Sequence, residues 1–414
     1  MPACREIRAC RLCAGGKLDA VLELGNQYLT GVFPRSPDEP LTRGPLTMAR
    51  CASCGLVQLR HSYERSELYG AHYGYRSSLN AMMVEHLRAK ADALIARAGL
   101  ERGDVVVDVG SNDGTLLTCF AGRGLTLVGF DPSAARWRDR YPAGSTLVPD
   151  FFSAAALRDV VGARRVKLLT SIAMFYDLEQ PLAFADEVAG ILADDGVWHL
   201  EQSYLPAMLR TNAYDTICHE HLEYYALEQI AWIAERVGLR LLDVALNDVN
   251  GGSFAATVGR RAAAAPAEAA RVERCLAAEA GMDLASLAPL RAFASRAAAH
   301  RTALVEMLQA IHARGQSVLG YGASTKGNVI LQYAGIDRGL LPAIAEVNRE
   351  KFGRVTPGSW IPIVSEDEAH ATKPDHLLVM PWHFRAGLVR REAAYLARGG
   401  KLIFPLPRIE VVTG

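Results

Sequence analysis

The stretch VVVDVGSNDGTLLTCF, residues 105–120, constrains this chain most. An apolar strand runs into a glycine turn, and a helical pattern opens directly behind it. Asp108, Gly110 and Gly114 stand as D-x-G-x-x-x-G. Gly110 lets the chain turn tightly and lets a ligand approach the backbone. A strand of this kind must bury both faces, so the unit predicts a parallel sheet with helices on either side. The following residues agree. LTLVGFD, KLLTSIAM and GVWHLEQS read as further buried strands between helical stretches, and RVGLRLLDVALNDVNGGSFAATVGR as later antiparallel strands closing the sheet.

The loop lacks the dinucleotide fingerprint G-x-G-x-x-G, which is shaped for a pyrophosphate. A loop with acidic residues suits instead the cationic, zwitterionic methionyl end of S-adenosylmethionine. Asn112, Asp113 and Thr115 fall where the helix begins and are expected to cap it. Asp131 ends the next strand, where a carboxylate accepts hydrogen bonds from ribose hydroxyls. Asp150 follows the third strand, at the place of an adenine contact, and Ser171 lies on the fourth. Both are grouped with the cofactor residues.

Two C-x2-C pairs, Cys10/Cys13 and Cys51/Cys54, predict one structural zinc. The 37 residues between the pairs exceed the commonest ribbon spacing, but an inserted loop costs little closure entropy. Four protein thiolates leave no position for water, so catalysis by the metal is not expected. Cys4 is unassigned, and Cys119 and Cys275 read as packing residues.

At 414 residues the chain fits two or three domains. Lys+Arg and Asp+Glu both number 45, which excludes a nucleic-acid binder relying on a global positive field. There is no long apolar run and no signal-like opening, so the expectation is a cytoplasmic protein, without membrane or obligatory protein partner. Residues 1–80 read as a small loop-rich zinc-binding unit. Residues 81–260 read as the S-adenosylmethionine-binding domain, entered by an amphipathic helix over 80–99. Residues 261–414 read as an Ala-rich helical connector and a second α/β domain.

In that last domain GYGASTKGN, Gly320 to Asn328, again follows a strand and opens a helix. Its amides, Ser324 and Lys326 suit a phosphate, although the spacing is not that of a P-loop. The other dense cluster is NAYDTICHEHLEYY. His219, Glu220 and His221 are consecutive, which is not the H-E-x-x-H metal spacing, so a proton-transfer site is the reading preferred over a metal site.

Together these segments resemble the C-methyltransferase family acting on nucleotide-linked keto-deoxysugars. The resemblance rests on both C-x2-C pairs, HYGYRSSL, VDVGSNDGTLL, GFDPS, HEHLEYY, NGGSF, GYGASTKGN and LVMPWHF, in that order. It implies a Rossmann-like class I methyltransferase domain flanked by a zinc-binding unit and a C-terminal α/β domain, with the sugar nucleotide between domains. It further implies methylation at C3 beside a C4 ketone through an enolate. His221 matches the base, Glu220 the acid beside it, and Tyr75 a tyrosine facing the sugar. Tyr176, His219, Tyr224, Ser324, Lys326 and Asn328 are grouped with the substrate, His219 being the rival base. The chain departs from antibiotic-sugar members at MFYDLEQP, where many carry a His-Ile-Pro-like turn, and at Cys218, where a tyrosine is often found. Three other readings remain: an O- or N-methyltransferase, a zinc scaffold with a vestigial methyltransferase domain, and an NAD-dependent enzyme using the Gly320 loop with Glu346.

Overall fold

The computed structural model describes residues 4–70, 75–260 and 266–414. The strand Val105–Val109 lies inside a seven-stranded sheet, and all five of its residues are buried. Its parallel neighbours are Thr126–Phe130 on one side and Val166–Ile172 on the other. Thr146–Val148 extends the sheet outward, and Leu192–Ser203 follows on the far side. Ser253–Gly259 runs antiparallel between Leu192–Ser203 and Arg240–Asn247. The expected closing strands are therefore present, with a single antiparallel member among the described residues.

The helix Ala81–Ala98 buries Met83, Leu87, Ala91, Leu94 and Ala98, spaced by three or four, against this sheet. Asn80 caps its first turn, accepting from the amides of Met82 and Met83, and Gly99 ends it at φ +56°. The helix after the glycine turn is short, Thr115–Cys119, and its cap is Gly114, without a side-chain cap bond. This corrects the expectation for Asn112, Asp113 and Thr115. The Thr115 hydroxyl donates to Asp113, and the Asn112 and Asp113 carboxyl-side oxygens accept from the amides of Ser77 and Ser78.

The first 80 residues hold more strand than their sequence suggested. Leu18–Tyr28, Arg43–Cys51 and Val57–Leu59 form an antiparallel sheet, completed by Glu223–Tyr224 from far along the chain. Two register shifts between the first pair break the period-2 alternation that would have announced them.

The C-terminal sheet has the order Ile363–Ser365, Ile344–Glu346, Val318–Tyr321, His376–Val379, Lys401–Phe404, Glu410–Val412. Only its last strand is antiparallel. The order reverses beside Val318–Tyr321, where doubly wound sheets bind ligands. The Ala-rich segment is not a bare connector. Pro266–Ala280 delivers Glu279, whose carboxylate accepts from Tyr204 Oη (2.7 Å) and the amides of Leu227 and Glu228. Ala288–Ala313 buries Leu290, Phe293, Ala297, Leu304 and Leu308 in the C-terminal core. No helix among the described residues is long and apolar enough to cross a membrane.

Candidate active site

The carboxyl ends of both parallel sheets face one cavity of about 770 Å³. From the central sheet it is lined by Asp108, Gly110, Asn112, Asp131, Asp150, Met174 and Gln202. From the C-terminal sheet come Ser324, Lys326, Glu346 and His383, and from the segment between them Glu220 and His221.

At the glycine loop, Asp108 accepts from Thr170 Oγ1 at 2.7 Å. Burial raises its carboxyl to about 7, against that bond and with the Asp131 charge adding to the rise. Gly110 turns at φ +77°, and a side chain there would strike Met174. Asp131 is held rigidly: Asn112 N donates to Oδ2 (2.9 Å), and Ser133 N and Oγ donate to Oδ1 (2.7 and 2.6 Å). Asp150 is exposed and bonds the amide of Phe151. Phe151, missed in the sequence, offers an apolar face in the cavity, with the Arg65 guanidinium 4.3 Å over its ring.

Asn112 and Asp113 hold a strap over this loop. Asn112 also donates to the Tyr75 carbonyl (3.3 Å), and Asp113 pairs with Arg76 (3.5 Å). Tyr75 is 44% exposed and lines the cavity, while His72–Gly74 of the same motif lie outside the described residues.

The turn at His219–Glu220 separates two histidines. His221 donates from Nδ1 to the Thr216 carbonyl at 2.8 Å, which leaves Nε2 as the lone-pair nitrogen. Its ring lies 4.2 Å from that of Tyr176. Burial first, then the Lys326 charge, lowers its pKa to about 3. Glu220 is 5% exposed, accepts from Thr30 Oγ1 at 3.4 Å, and is pushed toward its protonated form by burial. Asp177, half-buried near Glu220, is raised by desolvation first and then by the Glu220 charge. Gln202 is 2% exposed, and among the described residues its side-chain nitrogen and oxygen have no partner. It ends a strand read in the sequence only as a strand. Strand ends at a parallel sheet's carboxyl edge were the signal that could have found it.

Several residues grouped with the site lie outside the cavity wall. His219 is fully buried and packs edge-on against Tyr63 (4.7 Å) in the N-terminal unit, which removes it as rival base. Tyr224 lies buried in the strand paired with Val57. Asn328 donates to the Thr30 carbonyl (2.8 Å), tying the N-terminal unit to the C-terminal domain. Ser171 accepts from Trp198 Nε1 (2.9 Å), a packing role. Asp113 and Gly114 sit behind the loop, the first holding the strap and the second turning the chain at φ +75°. Lys326 lines the cavity but is not free: its Nζ donates to the Asn250 carbonyl at 2.6 Å.

The four thiols of Cys10, Cys13, Cys51 and Cys54 lie within 4.8 Å of one another. The Cys10–Cys54 and Cys13–Cys51 separations are 3.6 and 3.5 Å, near the ~3.8 Å edge of a tetrahedron with zinc–sulfur bonds of about 2.3 Å. Amide donors at Leu12 and Ser53, and Gln58 Nε2 at 3.1 Å, point at the sulfurs, as for thiolates. The donor set is that of a structural zinc site.

Sheet order, acidic glycine loop and thiol cluster define a class I S-adenosylmethionine-dependent methyltransferase carrying structural zinc. Family models agree in three consecutive parts: a zinc-binding domain over 10–69, a methyltransferase domain over 83–244, and a C-methyltransferase C-terminal domain over 248–407. The C-methyltransferase NovU of Streptomyces niveus is 32% identical over 99% of this chain and 98% of its own. The chain belongs to this family of C-methyltransferases. Among solved structures, the CcbJ methyltransferase of Streptomyces caelestis aligns over 43% of this chain and 90% of its own, at 14% identity and TM-score 0.33. The magnesium protoporphyrin IX methyltransferase of Synechocystis aligns over 43% and 81%, at 15% and 0.33.

Two outcomes follow. Metal analysis should give about one zinc per chain, and Cys51→Ser should lower both zinc content and the thermal midpoint. A metal-free preparation with an unchanged midpoint would rule this out. For Asp108, a cationic ligand favours the ionised carboxylate, so S-adenosylmethionine should bind more tightly as pH rises through about 7. One linked proton gives at most about tenfold per pH unit. Calorimetric titration of the wild type and Asp108→Asn should show that dependence lost in the variant; identical profiles would exclude Asp108 as its source.

Proposed function

We propose that the enzyme methylates a carbon beside a ketone on a nucleotide-linked deoxysugar, C3 next to a C4 carbonyl. The observation that carries this reading is the His221 tautomer: Nδ1 is committed to Thr216, and the basic Nε2 belongs to a cavity-lining ring. The name of the 32% identical relative supports carbon as the acceptor.

S-adenosylmethionine, when bound, supplies an electrophilic methyl. Asp108, Gly110, Asn112 and Asp131 receive its methionyl and ribose parts, and Asp150 with Phe151 its adenine. The sugar nucleotide enters from the C-terminal side. The amides of the Gly322–Thr325 turn and Ser324 hold its diphosphate, with Arg390 and Arg391 on the same wall. Tyr75, Tyr176 and Gln202 face the sugar, Gln202 giving one donor and one acceptor to a hydroxyl.

His221 removes the proton from carbon. In the resting site its imidazolium is disfavoured by burial and by Lys326. An enolate forming beside it offsets that cost, because opposite charges created together in a water-poor cavity attract strongly. Glu220, directly before it, adds an acidic group on the same wall. Domains divide at 1–80, 81–260 and 261–414 in this reading. The free thiols fit a reducing cytoplasm.

His221→Asn should lower kcat by ~10²–10⁴-fold, the usual contribution of a positioned base, with cofactor affinity unchanged. It should also stop exchange of the substrate C–H proton with D2O, followed by NMR on nucleoside-diphosphate-linked 4-keto-deoxyhexoses. Methylation by the wild type without any such exchange, including with S-adenosylhomocysteine as the bound cofactor, would favour an oxygen or nitrogen acceptor.

A further inference from the structure

Lys326 was expected at the phosphates, yet its side chain turns the other way. The ammonium crosses from the C-terminal domain and donates to the Asn250 carbonyl in the NGG turn of the central domain, at 2.6 Å. Asn250 itself lines the cavity and takes φ +55°, which swings its carbonyl into this position. The next residue, Gly251 at φ +91°, lies flat under Trp382; a side chain there would meet the indole at 2.9 Å. Trp382 Nε1 in turn donates to Asp215 Oδ2 at 2.7 Å. These contacts lock the two domains together around one amino group.

Lys326 shares the cavity wall with His221 and His383. Its cation acts on His221 and on His383, holding both imidazoles neutral after the larger effect of burial. Asp215 is fully buried with one oxygen unpartnered among the described residues; burial lowers the Lys326 pKa, and Asp215 opposes that fall. A buried cation next to a neutral base is costly unless an anion arrives. The only anion that enolisation creates is the carbonyl oxygen of the substrate.

We infer that Lys326 is a catalytic residue: its ammonium receives the substrate carbonyl oxygen as that oxygen becomes an enolate. His383 on the same wall is a second donor. The step balances within the site. The C–H proton moves to His221 Nε2, its electron pair forms the carbon–carbon double bond, and the carbonyl π pair moves onto oxygen. Lys326 remains protonated and holds that oxygen. With S-adenosylmethionine as donor, the carbon–methyl bond would form as the sulfur–methyl bond breaks, that pair staying on sulfur; the oxygen pair returns to restore the ketone, and His221 then releases its proton to solvent. The three Lys326 protons allow one to stay on Asn250 while another points at the oxygen.

The inference rests on the enolate reading, and the experiment separates the two. The wild type, Lys326→Met and Lys326→Arg are compared for deuterium uptake by nucleoside-diphosphate-linked 4-keto-deoxyhexoses with S-adenosylhomocysteine bound, and for kcat and KM with S-adenosylmethionine as methyl donor. Lys326→Met should lose ~10²–10³-fold in both exchange rate and kcat, as on removal of one oxyanion donor, with KM within a few-fold of wild type. Lys326→Arg, which keeps a cation, should recover part of the rate. Unchanged S-adenosylmethionine affinity checks the fold of each variant. Exchange by the wild type that persists at full rate in Lys326→Met overturns the inference and leaves the enolate reading standing. A rise in KM with kcat intact also overturns it and returns Lys326 to the phosphates. Absence of exchange in the wild type removes both.

Discussion

Two residues of β-pairing hold this enzyme together. Glu223 and Tyr224 pair antiparallel with Gln58 and Val57, and Leu59 N donates to the Leu222 carbonyl at 2.8 Å. The strand that closes the N-terminal sheet is thus the continuation of the His221 segment. The same sheet is fastened to the zinc knuckle. Gln58 donates to Cys10 Sγ and accepts from the Arg11 amide, and Arg11 Nε lies 3.7 Å from Glu223 in a buried pair. Zinc does no chemistry in this arrangement. It fixes the knuckle that carries Arg11, and Arg11 lies against Glu223, two residues from His221, where burial raises the carboxyl and the guanidinium opposes that rise. Breaking one partner of such a pair strands a buried charge, at about 3–5 kcal/mol.

Electrostatics follow from that packing. The cavity gathers Asp177, Glu220, His221 and His383, and burial drives each toward its neutral form. Lys326 lies on the same wall, its pKa lowered by burial with Asp215 opposing that fall. A site held near neutrality until substrate arrives stabilises charge only where the reaction creates it. This is the preorganisation that lowers a barrier instead of merely tightening ground-state binding.

The sequence made some of this legible and not the rest. The glycine loop and the cysteine pairs were readable because their function depends on local spacing: a turn at Gly110, two knuckles three residues wide. The strand–helix alternation was readable because buried parallel strands are continuously apolar. His219 and Asn328 were not readable. Both sit in motifs dense with polar groups, but a turn at His219–Glu220 sends one histidine into the Tyr63 packing and the next into the cavity. Asn328 lies one turn along its helix from Ser324 and faces Thr30 instead of the ligand edge. Gln202 carried no local signature, and His383 only its place in LVMPWHF. Their importance comes from which sheet edge they end, and that depends on strand order, a property of the whole fold.

That strand order also explains why two sheets are needed. Each parallel sheet offers ligands one edge, at the carboxyl ends of its strands. A methyl transfer requires the reacting atoms of the methyl donor and its acceptor in line at contact distance. Facing two such edges across one cavity solves the problem without either ligand displacing the other. The cost is a junction that must be stiff, since a misplacement of ~1 Å can cost about a hundredfold in rate. The contacts that stiffen it are Lys326 to Asn250, Trp382 to Asp215 and Asn328 to Thr30. All three start from the C-terminal domain: Asn250 lines the cavity, Asp215 lies three residues before Cys218 of its wall, and Thr30 donates to Glu220 of that wall. The C-terminal domain thus completes the wall of the cavity that His221 lines.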